Sequence, residues 1–123
     1  MEVSSSDLED LIRIYVEAFR EFPWREVYSP EEVRATFDEV LCWPETIFLV
    51  ARDLEGRPIG AGIAFGAVRK NWLRPHLAER MQTALFISEL FVDPAHRDRG
   101  VCRELVVRLL RAARDAGHKE IVV

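Results

Sequence analysis

Two adjoining stretches of the chain carry residue types suited to chemistry. The run Leu85-Phe86-Ile87-Ser88-Glu89-Leu90-Phe91-Val92 sets one carboxylate among large apolar side chains, and Asp93-Pro94-Ala95-His96-Arg97-Asp98-Arg99-Gly100-Val101-Cys102 follows it directly. The first reads as a β-strand halted by a proline turn, the second as an Arg/Gly loop that opens a helix near Gly100. The first N–H groups of a helix have no partner inside it, so a loop that aims them outward seats an anion, usually phosphate. Gly100 lacks the side chain that would hold such a ligand off the backbone. Burial of Glu89 among apolar neighbours raises its pKa and suits it to accept a proton near neutral pH. The plain alternative is a structural carboxylate satisfied by nearby backbone. Alternation places Phe86, Ser88, Leu90 and Val92 on one face of the strand and Leu85, Ile87, Glu89 and Phe91 on the other.

Other reactive side chains carry less. Neither G-x-x-x-x-G-K-[ST] nor G-x-G-x-x-G occurs, so the two familiar glycine-rich phosphate loops are excluded. His76, His96 and His118 are isolated, with no spacing that would put two on one helix face, and no metal site is expected. Cys42 and Cys102 show no C-x-x-C spacing and no disulfide framework, which favours a reducing compartment. Cys102 sits where a helix dipole lowers a thiol pKa, but no histidine partner is indicated, and packing is the expected role.

The pattern Arg97-x-x-Gly100-x-Cys102 after Leu90-x-Val92-x-Pro94 resembles the coenzyme A-binding core of the GNAT family of N-acetyltransferases. That family's pattern is [QR]-x-x-G-x-[GA] behind a strand ending L-x-V-x-P; Cys102 replaces the usual Gly or Ala with another small side chain. The resemblance implies an α/β fold of the α+β type: a mixed, mostly antiparallel sheet flanked by helices, here followed as far as its fifth strand. It implies an acetyl-CoA-dependent transfer of an acetyl group to a primary amine of a small molecule or protein. Backbone groups of Leu90, Phe91 and Val92 would hold the pantetheine arm like an added strand, the Val92 N–H facing the thioester carbonyl. Amides of Arg97, Asp98, Arg99, Gly100, Val101 and Cys102 would hold the pyrophosphate, with added charge from the Arg99 side chain. Glu89 matches the position of a carboxylate that takes the amine's proton through water. The family's later part contributes a tyrosine acid and further strands that these residues do not include; Tyr28 is the candidate substitute. The alternative is a catalytically incomplete domain that binds coenzyme A or a partner protein.

The elements that must position these residues are legible along the chain. With 123 residues and 49% apolar content, residues 1–123 suit one domain with its own core. A net charge of −4 argues against a nucleic-acid binder. No membrane-spanning run and no signal peptide is legible, and the cytoplasm is expected. Ser6 and Glu9 have capping-box spacing for a first helix with Leu8, Leu11, Ile12, Tyr15, Phe19 and Phe22 on its buried stripe, ending before Pro23. Ser29-Pro30-Glu31-Glu32 opens a second helix whose inner face carries Val33, Phe37, Val40 and Leu41, stopped by Pro44. Between them lies an aromatic and acidic loop. Phe22 and Trp24 are expected to cover the core edge, and the resemblance makes this segment a wall of the acceptor pocket, with Glu21 and Glu26 attracting a cationic amine. Residues 46–52 and 59–68 predict an antiparallel hairpin, its glycines marking a bulge or a close backbone approach. Residues 69–81 read as a long connection with one helical turn. The helix after Gly100 has its stripe at Cys102, Leu105, Val106, Leu109, Ala113 and Ala116, with Gly117 as a left-handed cap. Its arginines are spread around the surface, a solvated face rather than a nucleic-acid contact. A final strand at residues 121–123 without a neighbour predicts self-association through its edge.

Overall fold

A computed structural model describes residues 3–21 and 24–123. The expected Phe22 and Pro23 end of the first helical stripe lies outside them. Helix α1, Ser5–Arg20, begins two residues earlier than the Ser6/Glu9 spacing predicts. Ser4 is the cap: its Oγ accepts the Asp7 N–H at 3.1 Å, and the Asp7 carboxylate accepts the Ser4 N–H at 3.0 Å. The register is fixed from outside the helix. The Arg52 guanidinium donates to both Asp7 oxygens at 2.9 Å, tying the helix start to the sheet.

Helix α2, Pro30–Leu41, starts where its local signals put it, Ser29 Oγ accepting the Glu32 N–H at 3.1 Å. Val33, Phe37 and Val40 are buried, whereas Leu41, expected inside, is 38% exposed. Strand β1, Ile47–Arg52, and strand β2, Pro58–Gly66, form the expected antiparallel hairpin. Strand β3, Leu85–Val92, pairs antiparallel with β2, and β4, Ile121–Val122, runs parallel to β3. The sheet order is β1-β2-β3-β4. Among the described residues the sheet has four strands, one at each of the four runs read as strands. Residues 67–81 between β2 and β3 form the expected long connection, with three 3-10 turns where one helical turn was expected. Helix α3, Val101–Asp115, follows β3 after a short turn at Pro94–His96.

The apolar stripes divide the sheet's two faces. Helices α1 and α2 pack with Ala61, Ile63, Phe65 and Phe91 on one face. Leu109 of α3 packs with Ala64 and Ile87 on the other, beside Leu49 and Leu90. Both explanations offered for the glycines of β2 operate. A Cβ on Gly60 would stand 2.5 Å from the Phe91 carbonyl oxygen, closer than any side chain is tolerated. The register with β3 runs Ile63 to Glu89 and then Ala64 to Ile87, so Ser88 is an extra residue, a bulge. The bulge shifts the alternation by one. Phe86 and Phe91 pack against the α1/α2 core and Glu89 bonds to α1, while Ile87 and Leu90 face α3. The simple alternation that grouped Phe86 with Leu90 is corrected on that account.

Two ion pairs bind helix and loop to this sheet and set the acid limit of its stability. Arg52 and the Ser4 N–H hold the Asp7 carboxyl well below the usual carboxylate range. Arg69 and the Gly66 N–H pull Glu45 down to about 2. A depressed native pKa contributes stability that is complete above the unfolded value, near 4, and is lost as pH falls through the native value. Stability is therefore expected to hold from neutrality down to about pH 4.5 and to decline from there through pH 2. Asp7→Ala is expected to cost about 3 kcal/mol at pH 7, read from the urea midpoint, by removing both cap and ion pair. An unchanged midpoint would show that neither contributes.

Candidate active site

Where β3 runs on into α3, a cleft of about 590 Å³ opens. Glu89, Leu90, Phe91, Val92, Arg97, Asp98, Gly100, Val101 and Cys102 line it, with Phe19, Trp24, Ser88 and His96. Its long wall is a strand edge. The Asp93 N–H donates to the Ile59 carbonyl at 2.7 Å, which makes that facing pair, and the Ala61/Phe91 pair two residues on, the hydrogen-bonded ones. Leu90 and Val92 therefore turn their N–H and C=O groups away from β2, into the cleft. Beyond Phe86, paired with Val122, no strand covers that edge among the described residues. Phe91 turns its backbone toward Ala61, so its expected main-chain contact with a ligand is corrected; it contributes wall and core.

The far end of the cleft is the start of α3. Gly100 has φ +77° and provides no side-chain cap, and the first helical bond runs from the Glu104 N–H to the Gly100 carbonyl at 3.0 Å. The N–H groups of Val101, Cys102 and Arg103 precede that bond, leaving donors and the positive end of the helix dipole for an anion. Asp98, in the loop before these amides, also has positive φ, +63°. A Cβ on Gly100 would meet nothing within 4 Å; the space beside it is open. Arg99 does not join the group. It lines a neighbouring cavity of about 640 Å³ with Arg52, Glu104 and Arg108.

Glu89 lies at the other end, and burial pushes its carboxyl up from the ordinary range. The Tyr15 hydroxyl, donating to Glu89 Oε1 at 3.2 Å, and nearby Lys70 pull the opposite way, while Glu26 adds to the rise. Glu89 also borders two smaller cavities on the α2 side. One, of about 210 Å³, is walled by Phe37, Trp43, Phe65 and Lys70; the other, of about 110 Å³, by Tyr15, Tyr28, Glu32 and Phe37. The carboxylate thus stands where the long cleft meets two pockets.

Tyr28 is outside the long cleft and shares only the smallest pocket with Glu89. Its hydroxyl donates to Glu26, a bond that with partial burial holds the phenol up to about 12. Glu21 accepts from Arg97 at 2.6 Å. The two loop carboxylates expected to attract an amine are therefore already partnered, and Arg97 is anchored at the cleft mouth. Trp24 is 51% exposed and walls the cleft more than it covers the core. Cys102 is exposed, not packed. Sequence reasoning assigned Tyr15 to the core, and it does pack there. The available signal for more was chemical: a buried phenol in an otherwise apolar stripe needs a partner for its O–H.

Fold and cleft together define an α/β protein that can hold an extended ligand along a strand edge and its anionic end at a helix start. The model of the acetyltransferase (GNAT) family matches residues 8–123, and the chain belongs to that family. An uncharacterized N-acetyltransferase of Methanocaldococcus jannaschii is 29% identical over 117 residues, covering 95% of this chain and 48% of that protein. The chain thus spans about half the length of this curated relative. The apo aminoglycoside 6'-N-acetyltransferase of Acinetobacter haemolyticus shares the fold with a TM-score of 0.68 at 17% identity, over 97% of this chain and 73% of that one. AAC(6')-Iy, solved in complex with the bisubstrate analogue CoA-S-monomethyl-acetylneamine, gives 0.68 at 19% identity, over 96% and 72%. No helix among the described residues is long and apolar enough to cross a membrane.

Proposed function

We propose that the chain is an acetyl-CoA-dependent N-acetyltransferase, one domain over residues 1–123, acting in the cytoplasm on a primary amine of a small molecule or protein. One juxtaposition supports this reading above all. The outward amides of Leu90 and Val92, the uncapped start of α3 at Gly100 and the half-buried Glu89 share one cleft. Acetyl-CoA would supply the activated acyl group, and these residues fit its parts: the strand edge its amide-bearing arm, the amides from Asp98 to Cys102 its diphosphate. Transfer forms a C–N bond and breaks the C–S bond, so the amine must lose a proton and the leaving sulfur gain one. Glu89 is the base in this reading, Val92 N–H the donor to the developing oxyanion, and Tyr28 the candidate acid.

A second reading, coenzyme A binding without transfer, is favoured by one observation. Tyr28 gives its proton to Glu26 and is held at about 12, far from where an acid is effective at neutral pH. Two measurements separate the readings. Coenzyme A at a hundred times its Kd is expected to add about 2.7 kcal/mol, a thermal midpoint rise of about 10 °C for a chain of this size. No rise in a folded sample would sink both. Thiol release from acetyl-CoA across a panel of primary amines is then expected for the enzyme and not for the binder.

A further inference from the structure

We propose that Tyr15 is a positioning residue: its phenol, locked in the aromatic core, holds one oxygen of Glu89 so that the other faces the junction of the cleft and the two smaller pockets. The proposal rests on the reading of Glu89 as the base. Tyr15 is 9% exposed, and its ring is wedged among Phe19 at 4.5 Å, Phe91 at 5.2 Å, Tyr28 at 5.5 Å and Phe37 at 5.6 Å between centroids. A ring so enclosed has one place to put its hydroxyl. That place is 3.2 Å from Glu89 Oε1, and no other described residue donates a hydrogen bond to the Glu89 side chain. Among the described residues Oε2 has no donor, and the Glu89 side chain borders the cleft and both smaller pockets, where an amine, or a water between amine and base, would stand.

Core packing alone does not call for this arrangement, since phenylalanine would fill the same ring site. What the hydroxyl adds acts on the base. Glu89 is half-buried beside the Ser88 bulge, and its side chain borders three cavities. The hydroxyl favours the charged form and so opposes the upward push of burial. The other groups around Glu89 do not replace it. From the turn after β2, Lys70 leans over the Phe65 ring and Arg69 is held by Glu45. From the loop, the Tyr28 hydroxyl is given to Glu26, and the side chains that α2 brings to the two smaller pockets include Glu32 and Glu39.

The test is Tyr15→Phe in the whole chain, read in two ways. With carbon-13 at the glutamate carboxyls, and the Glu89 signal assigned by its loss in Glu89→Gln, the Glu89 titration midpoint is expected to rise by about one pH unit. The acid limb of thiol release from acetyl-CoA, followed with the most active amine of the panel, is expected to move up equally. The rate would then fall about tenfold on that limb and recover toward high pH. An unmoved midpoint overturns the proposal, as does a uniform loss of rate across pH, which is what damaged packing would give. The carbon signal needs no turnover, so a failure of the transferase reading is told apart. If Glu89→Gln leaves the acid limb in place, the base assignment falls and the role of Tyr15 falls with it. If Glu89→Gln removes the limb while Tyr15→Phe leaves the midpoint fixed, only the Tyr15 proposal is lost.

Discussion

Glu89→Gln is expected to slow acetyl transfer by about 100-fold or more while leaving coenzyme A affinity within about twofold. The split follows from where the carboxylate stands. The groups that would hold the donor are main-chain amides of Leu90, Val92 and the α3 start, none of which the substitution touches. Glutamine keeps an oxygen for the Tyr15 hydroxyl but cannot take a proton, so only the step that requires a base suffers. Stability should move the other way. Burial raises the native pKa of Glu89, which means the folded state binds the proton more tightly than the unfolded one. Such a group costs stability as pH rises above its unfolded value, and at pH 7 that cost is present. A neutral glutamine removes it, so the thermal midpoint at pH 7 is expected to be unchanged or higher. Lost activity in a protein at least as stable, with intact coenzyme A binding, is the pattern of a catalytic carboxylate. A normal rate with an unchanged pH profile would return Glu89 to the role of a structural carboxylate.

The same distinction, between what a residue does locally and what distant partners make of it, separates what could be read along the chain from what could not. Helix α2 starts where predicted because Ser29, Pro30 and Glu32 settle it among themselves. Helix α1 has Ser4, Ser5 and Ser6 as rival caps, and the choice falls to Ser4 because Asp7 is also the anchor for Arg52, 45 positions away. The glycine-opened α3 and its loop were legible because a left-handed turn and unpaired amides are properties of the local backbone. The face of β3 was not. Pairing with β2 creates the bulge at Ser88, and a period-two reading cannot see a residue that pairing leaves over. Tyr15 is the same case in the site, its partner Glu89 lying 74 positions on. Cys102 was placed on a stripe by helical periodicity, which gives a side of the helix but not how deeply each position on it is buried.

Gly100→Val is the substitution with the largest expected effect on binding: affinity for coenzyme A should fall about 100-fold or more, with pantetheine affinity little changed. Two causes act together. At φ +77° a β-branched residue is strained, and relief of that strain would rotate the peptide planes that aim the first amides of α3 at an anion. The new side chain would also occupy the open space beside the loop, since among the described residues none but its chain neighbours lies within 4 Å of its Cβ. The absence of internal contacts matters to the test. With no core atom displaced, the fold should survive, and the injury should be confined to the seat proposed for the diphosphate. Pantetheine carries the arm that would lie along Leu90 and Val92 but no diphosphate, so calorimetric titration with each ligand isolates the two ends of the cleft. Gly100→Ala carries the strain with less bulk and should fall between wild type and valine. Equal losses for both ligands would mean that the loop shapes the whole cleft. Full retention of coenzyme A affinity would mean that the anion is held elsewhere, and the arginines beside the neighbouring cavity at Arg99 and Arg108 would become the place to look.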